Sequence, residues 1–323
     1  MHTGRAIPQV PVAHPGGPGV EPSKPMTRER SNPVKIRRRL PPPVQNALRP
    51  LSVQVQRVTA AYRPSPTFIV AGAQRCGTTS LFRALEQHPQ MTRPSFHKGI
   101  NYFDLNYGRG AGWYAAHFPL TALDTLRTPR EYRPSLPFEA SGYYMFHPAA
   151  FLRIARDLPD VKIVLMLRDP VERAYSAWKH EHARGFERES FTRALELEDS
   201  RLEGEVERML ADPSYESHAH RHLAYAARSD YVPQIERLLT LLPAEQVHVV
   251  YSEEFFAKPE QEMSVLATFL DARNYPDITF DRHNARPSGS MPSDARDILQ
   301  HKLARTYEEI SELVGRPSPW HVE

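Results

Sequence analysis

The sequence predicts an α/β fold: a doubly wound parallel sheet of the P-loop type, flanked by helices, in a single domain. Three observations carry that prediction. The run Phe68-Ile69-Val70-Ala71-Gly72 is apolar and ends on a glycine; Gly77 and the hydroxyl residues Thr78, Thr79 and Ser80 then open an amphipathic segment. That order gives a strand, a tight turn and the start of a helix. The run Val161-Lys162-Ile163-Val164-Leu165-Met166-Leu167 is almost wholly apolar, the pattern of a strand covered on both faces. A third run, Val247-His248-Val249-Val250-Tyr251, precedes another helical stretch. Strands that alternate with helical patterns build parallel sheets with helices on both sides.

Taken in chain order, residues 1–63 form a basic, proline-rich extension with eleven Lys and Arg against two Glu. Stretches such as Pro15-Gly16-Gly17-Pro18 and Pro41-Pro42-Pro43 cannot bury a core, so the extension is expected to be largely disordered, with a short helix near 44–63. Arg37-Arg38-Arg39 would give at most weak contact with an anionic membrane surface. Without interleaved aromatic residues it does not point to a specific nucleic acid, and a solvated tail is the plainer reading. Residues 64–323 are the domain. Leu81, Ala84, Leu85 and His88 recur at helical spacing before Pro89, so 79–87 is a helix. Residues 89–147 read as loop-rich with short helices. Further helices are expected over 191–210, 229–242, 260–270 and 293–314.

The whole chain has 323 residues, 40% of them hydrophobic, which is enough for one full core. Its one cysteine rules out an internal disulfide framework and fits a reducing compartment. No apolar stretch approaches the roughly 18–20 residues that cross a bilayer, and the N-terminus lacks an apolar signal segment. The expected location is cytoplasmic.

Chemistry is concentrated in two places. Amide N–H groups at a helix start lack intrahelical partners and carry partial positive charge, so the turn before Thr78 is a seat for a phosphate. The spacing Gly72-x-x-x-x-Gly77 is that of a nucleotide-binding P-loop, but Thr78 stands where such loops place the lysine that reaches the outer phosphates. The cation comes earlier, as Arg75. The second place is Arg168-Asp169-Pro170-Val171-Glu172-Arg173-Ala174-Tyr175-Ser176, where a strand end meets a helix opened by proline and an acidic residue. A guanidinium fork and a hydroxyl there suit a further phosphate. Arg173 and Trp178 are assigned to packing and to the helix surface.

Gly72-Ala73-Gln74-Arg75-Cys76-Gly77-Thr78-Thr79-Ser80 resembles the loop with which sulfotransferases hold the 5′-phosphosulfate of 3′-phosphoadenosine-5′-phosphosulfate (PAPS), although a lysine is commoner at the Arg75 position. The segment from Arg168 to Ser176 is similar to their grip on the 3′-phosphate. The likeness is to the carbohydrate branch related to the heparan sulfate enzymes, bacterial homologues included, and spans about residues 66–321. It implies PAPS as the sulfuryl donor, no metal, and in-line transfer to a hydroxyl or amino group of a carbohydrate-containing acceptor. It also implies nucleotide contacts from Arg75, Cys76, Gly77, Thr78, Thr79, Ser80, Arg168 and Ser176, and from Arg286 and Ser288 in a late loop. The segment Phe96-His97-Lys98-Gly99-Ile100-Asn101-Tyr102-Phe103-Asp104 looks like the family's Lys-Glu-x-His-Phe-Phe-Asp. Lys98 is thereby implied to stabilise the transferring group, together with Arg75.

The chain departs from that pattern at the base. The family's glutamate is Gly99 and its histidine is Asn101. Glu139 is the first candidate to take the acceptor proton, with His97, His180 and Glu181 behind it; the alternative for Glu139 is a structural carboxylate. On this reading Gly99→Glu would restore the family residue and rescue some of the activity that Glu139→Gln removes. Two other functions stand beside sulfuryl transfer: a small-molecule kinase, which the missing lysine disfavours, and a nucleotide-binding protein without turnover, which only Gly99 supports. His218, His220 and His222 lack a cysteine or acidic ligand at metal spacing. Cys76 at a helix N-terminus invites a lowered pKa, but direct transfer needs no thiol, so it is read as a small loop residue.

Overall fold

The computed structural model describes residues 6–10, 53–280 and 290–320. Five strands, β1 (Phe68–Gly72), β2 (Met91–Thr92), β3 (Leu136–Glu139), β4 (Lys162–Leu167) and β5 (Val247–Tyr251), form one sheet in the order β2-β3-β1-β4-β5. All pairings are parallel, with Ile69 set between Glu139 on one side and Ile163 on the other. Every residue of β1 and β5 is buried, as is β4 beyond Lys162, which is why these three strands read as apolar runs.

The chain lays β2 and β3 on one side of β1, then crosses to place β4 and β5 on the other. Parallel sheets bind ligands where the strand order reverses, outside the carboxyl ends. Here those ends are Gly72, Glu139 and Leu167.

The sequence pattern identifies β1, β4 and β5 but not β2 and β3. The former has two residues; the latter, Leu-Pro-Phe-Glu, contains a proline and ends on a charge. Neither offers a period to recognise.

Helix α1 (Thr78–Leu85) follows β1 and turns Leu81, Phe82, Ala84 and Leu85 inward. Short helices α2 (Ala111–Ala115) and α3 (Thr121–Arg127) occupy the loop-rich stretch, and α4 (Ala150–Asp157) leads into β4. After β4 comes α5 (Pro170–Ala183), with proline at its first position and the Asp169 carboxylate accepting from Glu172 N at 2.8 Å. The expected helix over 191–210 is two, α6 (Phe191–Leu202) and α7 (Glu205–Ala211), because Gly204 between them takes φ +70°. The stretch over 229–242 holds the one expected helix, α9 (Tyr231–Leu239), with the short α8 (Ala226–Ser229) ahead of it. Strand β5 runs into α10 (Ser252–Ala257) and α11 (Pro259–Phe269); the last pattern bends at Leu303 into α12 (Ser293–Lys302) and α13 (Ala304–Val314). Val171, Tyr175, Phe191, Leu195, Tyr225 and Leu299 form a second apolar cluster, which fixes α5 against α6 and α12.

One short part of the N-terminal extension, residues 6–10, packs on the domain. Ile7 is 3% exposed, its N–H donates to Leu313 O at 3.1 Å, and Gln9 Nε2 donates to Val314 O at 3.2 Å. An isoleucine that packs into the domain core, supported by main-chain bonds, offsets the ordering of a few residues. A helical turn over 53–57 and a 3₁₀ turn over Ala60–Tyr62 fall inside the 44–63 window. The rest of that expectation lies outside the described residues. Among the described residues, no helix is long and apolar enough to cross a membrane.

Candidate functional site

Gly77 caps α1 at φ +96°, and a Cβ there would lie 3.0 Å from Met166 and Phe256. Only glycine meets both demands. The amides of Ser80 and Leu81 return to Gly77 O at 2.8 and 3.2 Å, so those of Gly77, Thr78 and Thr79 precede the first helical bonds. Lys98 reaches this opening from the segment beside β3. Its Nζ donates to Thr78 Oγ1 at 2.8 Å and Thr79 Oγ1 at 3.2 Å, and its carbonyl accepts from Ala140 N at 3.1 Å. Burial pushes the ammonium pKa down to about 8. The structure thus brings Lys98, Thr78 and Thr79 together at one helix start.

Arg75 goes elsewhere. At φ 72° it leaves the loop toward α5, where Nε donates to Ser176 Oγ at 3.3 Å and Nη1 lies 3.5 Å from His180 Nδ1. Arg168, one residue past β4, has Nη2 3.9 Å from Glu172 Oε2. A third cation was not singled out in the sequence. Lys179 is close enough to both arginines to feel them: burial lowers its pKa, Glu172 opposes, and the Arg168 and Arg75 charges lower it further. The available signal was its spacing, three residues after Ser176 and so on the same helix face. Arg75, Arg168, Lys179 and the Ser176 hydroxyl make a multi-donor seat for an anion.

Cys76 is not a reactive thiol. It is fully buried with Sγ 3.6 Å from the Tyr231 hydroxyl, and burial pushes its pKa up to about 11, outweighing the nearby guanidinium groups. Tyr231 in turn donates to Arg168 O at 2.8 Å, so the cysteine packs the loop against the end of β4. Arg173, read as a packing residue, is fully buried and polar in its contacts: it donates to Ser229 Oγ at 2.6 Å and Tyr225 O at 2.7 Å.

Glu139 has no exposed surface. Its Oε1 accepts from the Tyr114 and Tyr144 hydroxyls, both at 2.9 Å; its Oε2 accepts from Ser141 Oγ at 2.7 Å and Ile100 N at 3.1 Å. Burial raises its pKa to about 7 despite these donors. With four donors and no surface, it has the geometry of a structural carboxylate that joins β3 to the Lys98 segment, and no acceptor can reach it. Gly99 has a structural cause as well: a Cβ there would sit 2.9 Å from Ala140 O and 3.2 Å from Ser141 Oγ, so the expected benefit of Gly99→Glu does not fit the backbone. Asn101, at φ 53°, accepts no catalytic duty either; its Nδ2 donates to Asp104 Oδ2 at 2.8 Å.

Of the other candidates for the base, His180 lies at the mouth of the site next to Arg75, with 37% of its side chain exposed. Glu181 is tied to His222 Nδ1 at 2.9 Å, and His97 stacks on His117 at 6.1 Å. His220 is held by the Tyr143 hydroxyl at 2.7 Å. Among the described residues no cluster of His, Cys, Asp and Glu could hold a metal. Arg286 and Ser288 lie outside the described residues.

A glycine loop opens a helix, a lysine stands on its hydroxyls, and a second group of cations gathers on the helix after β4. Residues 65–284 match the family model of the sulfotransferase domain. The chain belongs to the sulfotransferase family. The match leaves the kinase alternative without support beyond the shared fold. Among curated proteins, this sulfotransferase is 27% identical to the membrane-associated sulfotransferase kil1 of Dictyostelium discoideum, over 79% of this chain and 66% of that one. It is 30% identical to the bifunctional heparan sulfate N-deacetylase/N-sulfotransferase of Drosophila melanogaster, over 64% of this chain but 19% of the larger protein. The chain therefore spans about two thirds of the first relative and about a fifth of the second. Among solved structures, a sulfotransferase from Alicyclobacillus acidocaldarius superposes with a TM-score of 0.57 at 28% identity, over 79% of this chain and 98% of that one.

Proposed function

We propose that this sulfotransferase takes its sulfuryl group from PAPS and delivers it to a hydroxyl or amino group of a carbohydrate-containing acceptor. The observation that carries the reading is the placement of Lys98 Nζ on Thr78 and Thr79, at the start of α1. A half-buried ammonium at the start of α1 suits a reaction that builds negative charge on a leaving phosphate. The donor, when bound, supplies an activated sulfuryl group on a phosphosulfate bridge.

The chain's own residues divide the work. The amides of Gly77, Thr78 and Thr79 hold the 5′ anion, and Lys98 stabilises charge that develops there during in-line displacement. Ser176, Arg168, Arg75 and Lys179 hold the 3′-phosphate. Arg75, expected at the transferring group, belongs to this second seat because its guanidinium lies on Ser176. His180, whose ring bonds that same Arg75 guanidinium, belongs with this second seat and not with the transferring group. The fit to a doubly anionic nucleotide rests on these two separate cationic groups.

The carbohydrate class rests on the heparan sulfate relatives. Incubation with ³⁵S-labelled PAPS and three acceptors, namely a glycosaminoglycan with free amino groups, a neutral polysaccharide and a glycolipid, tests it. Label transfer to at least one, abolished by Lys98→Ala, is the expected result. PAPS that binds without label reaching any glycan would remove the acceptor assignment. A cytoplasmic setting belongs to the same reading, and fractionation of cells expressing the full chain checks it.

A further inference from the structure

Behind the glycine loop lie two guanidinium groups that sulfuryl transfer does not itself require. Arg173 is fully buried on α5, and besides Ser229 and Tyr225 it donates to Gln74 O at 3.4 Å. Arg228, 6% exposed on α8, donates to Gln74 Oε1, to His220 O at 2.6 Å and to Arg221 O at 2.9 Å. Its guanidinium also stands over the rings of Tyr143 and Phe146, at 5.1 and 4.9 Å. Among the described residues neither arginine forms an ion pair with a carboxylate, and the Arg228 Nε has no hydrogen-bond partner. Positive charge in a dry interior with only neutral acceptors is costly. Burial pulls the Arg228 pKa down to about 10.

Both groups converge on Gln74, the residue before Arg75 in the glycine loop. The other end of Arg228 holds the main chain of the π turn Ala219–Leu223. That turn carries His220, which bonds the Tyr143 hydroxyl at 2.7 Å and stacks on Phe146 at 4.1 Å. Tyr143, Asp104, Ser217 and Arg221 line a cavity of about 50 Å³ beside the turn. A planar fork lets one side chain serve acceptors on two separate segments, which a lysine cannot match.

We propose that Arg228 is a positioning residue: through Gln74 it ties the Ala219–Leu223 turn and its cavity wall to the glycine loop, so that a nucleotide on the loop orders the turn. The inference rests on the donor reading above. Its physical basis is twofold. Gln74 is fixed from both sides, so displacing the loop displaces the turn. An anion on the loop also adds to the longer-range attraction that Glu198 and Glu181 exert on these guanidinium groups, which strengthens the whole connection when the nucleotide is bound.

Hydrogen exchange of the full chain, with and without adenosine 3′,5′-bisphosphate, tests it. The readout is the ligand-dependent change over 217–223, which a general loss of stability does not mimic. In the wild type the nucleotide should slow exchange there by about tenfold. Gln74→Ala, which cuts the link while Arg228 keeps its bonds to the turn, should still bind the nucleotide and lose most of that slowing. Arg228→Lys should retain only part of it. Equal slowing in wild type and Gln74→Ala would overturn the proposal, as would nucleotide binding with no slowing in the wild type. Failure of the wild type to bind the nucleotide would overturn the donor reading and this proposal together.

Discussion

On the proposed function, Lys98 is the residue on which the chemistry turns, and its charge is conditional. Burial leaves it with a pKa of about 8, so the empty site is partly neutral in mildly alkaline solution. A bound anion favours the ammonium, and binding should take up protons once the pH passes that value. Affinity for adenosine 3′,5′-bisphosphate should therefore fall from about pH 7 to about pH 9.5, and Lys98→Arg should flatten the fall because arginine stays charged. Calorimetry in buffers of different ionisation enthalpy reads both effects. Lys98→Ala should depress turnover far more than nucleotide affinity, since its bonds matter most as charge develops. Glu139 obeys another logic. Its pKa is raised in the folded state, so its contribution to stability is fully present below the ordinary carboxyl range and is lost as the pH rises through about 7. Glu139→Gln should remove that slope. It should also cost about 1–3 kcal/mol, because one amide oxygen cannot accept from four donors. Scanning calorimetry at several pH values measures this, and nucleotide affinity should stay unchanged. The two elements of the proposed nucleotide site were legible as a cationic pair because glycines, hydroxyls and arginines at fixed spacings have few other uses. The role of Glu139 was not, since a motif position carries no information about the tyrosines that come to meet it.

At the level of elements, the strands that carry the site announce themselves by their burial. β1, β4 and β5 are covered on both faces and read as apolar runs; β3 is as buried at its end, but its last residue is the tethered glutamate. Its strand identity comes from pairing with β1, which is a tertiary fact. Helix breaks at Gly204 and Leu303 were hidden for a related reason: apolar spacing continues across them while the backbone does not. The segment of Lys98 depends on β3 in turn. Its bond from Ala140 N brings the two backbones too close for any side chain at Gly99. Gly99→Glu should therefore fail to raise turnover and should destabilise by about 1–3 kcal/mol through overpacking. Thermal unfolding and a labelled-PAPS assay on the same preparation check both halves.

Over the whole molecule, charge and order are distributed unevenly. The extension is strongly basic while the rest of the chain is net acidic, yet one short piece of the extension, around Ile7, packs against the end of α13. Composition predicted a disordered tail and missed this because a single isoleucine among prolines gives no period. Ile7→Ala should lower the unfolding midpoint by the equivalent of about 1–3 kcal/mol and leave nucleotide affinity untouched, as the contact lies away from the glycine loop. The central claim is that one site reads two anions on one nucleotide. It is tested most directly by calorimetric titration of adenosine 3′,5′-bisphosphate, AMP and ATP into the wild type and Arg168→Ala. The wild type should prefer the 3′-phosphorylated ligand by on the order of 10–100-fold, and Arg168→Ala should lose most of that preference. Equal affinity of the wild type for all three, or an undiminished preference in Arg168→Ala, would contradict it.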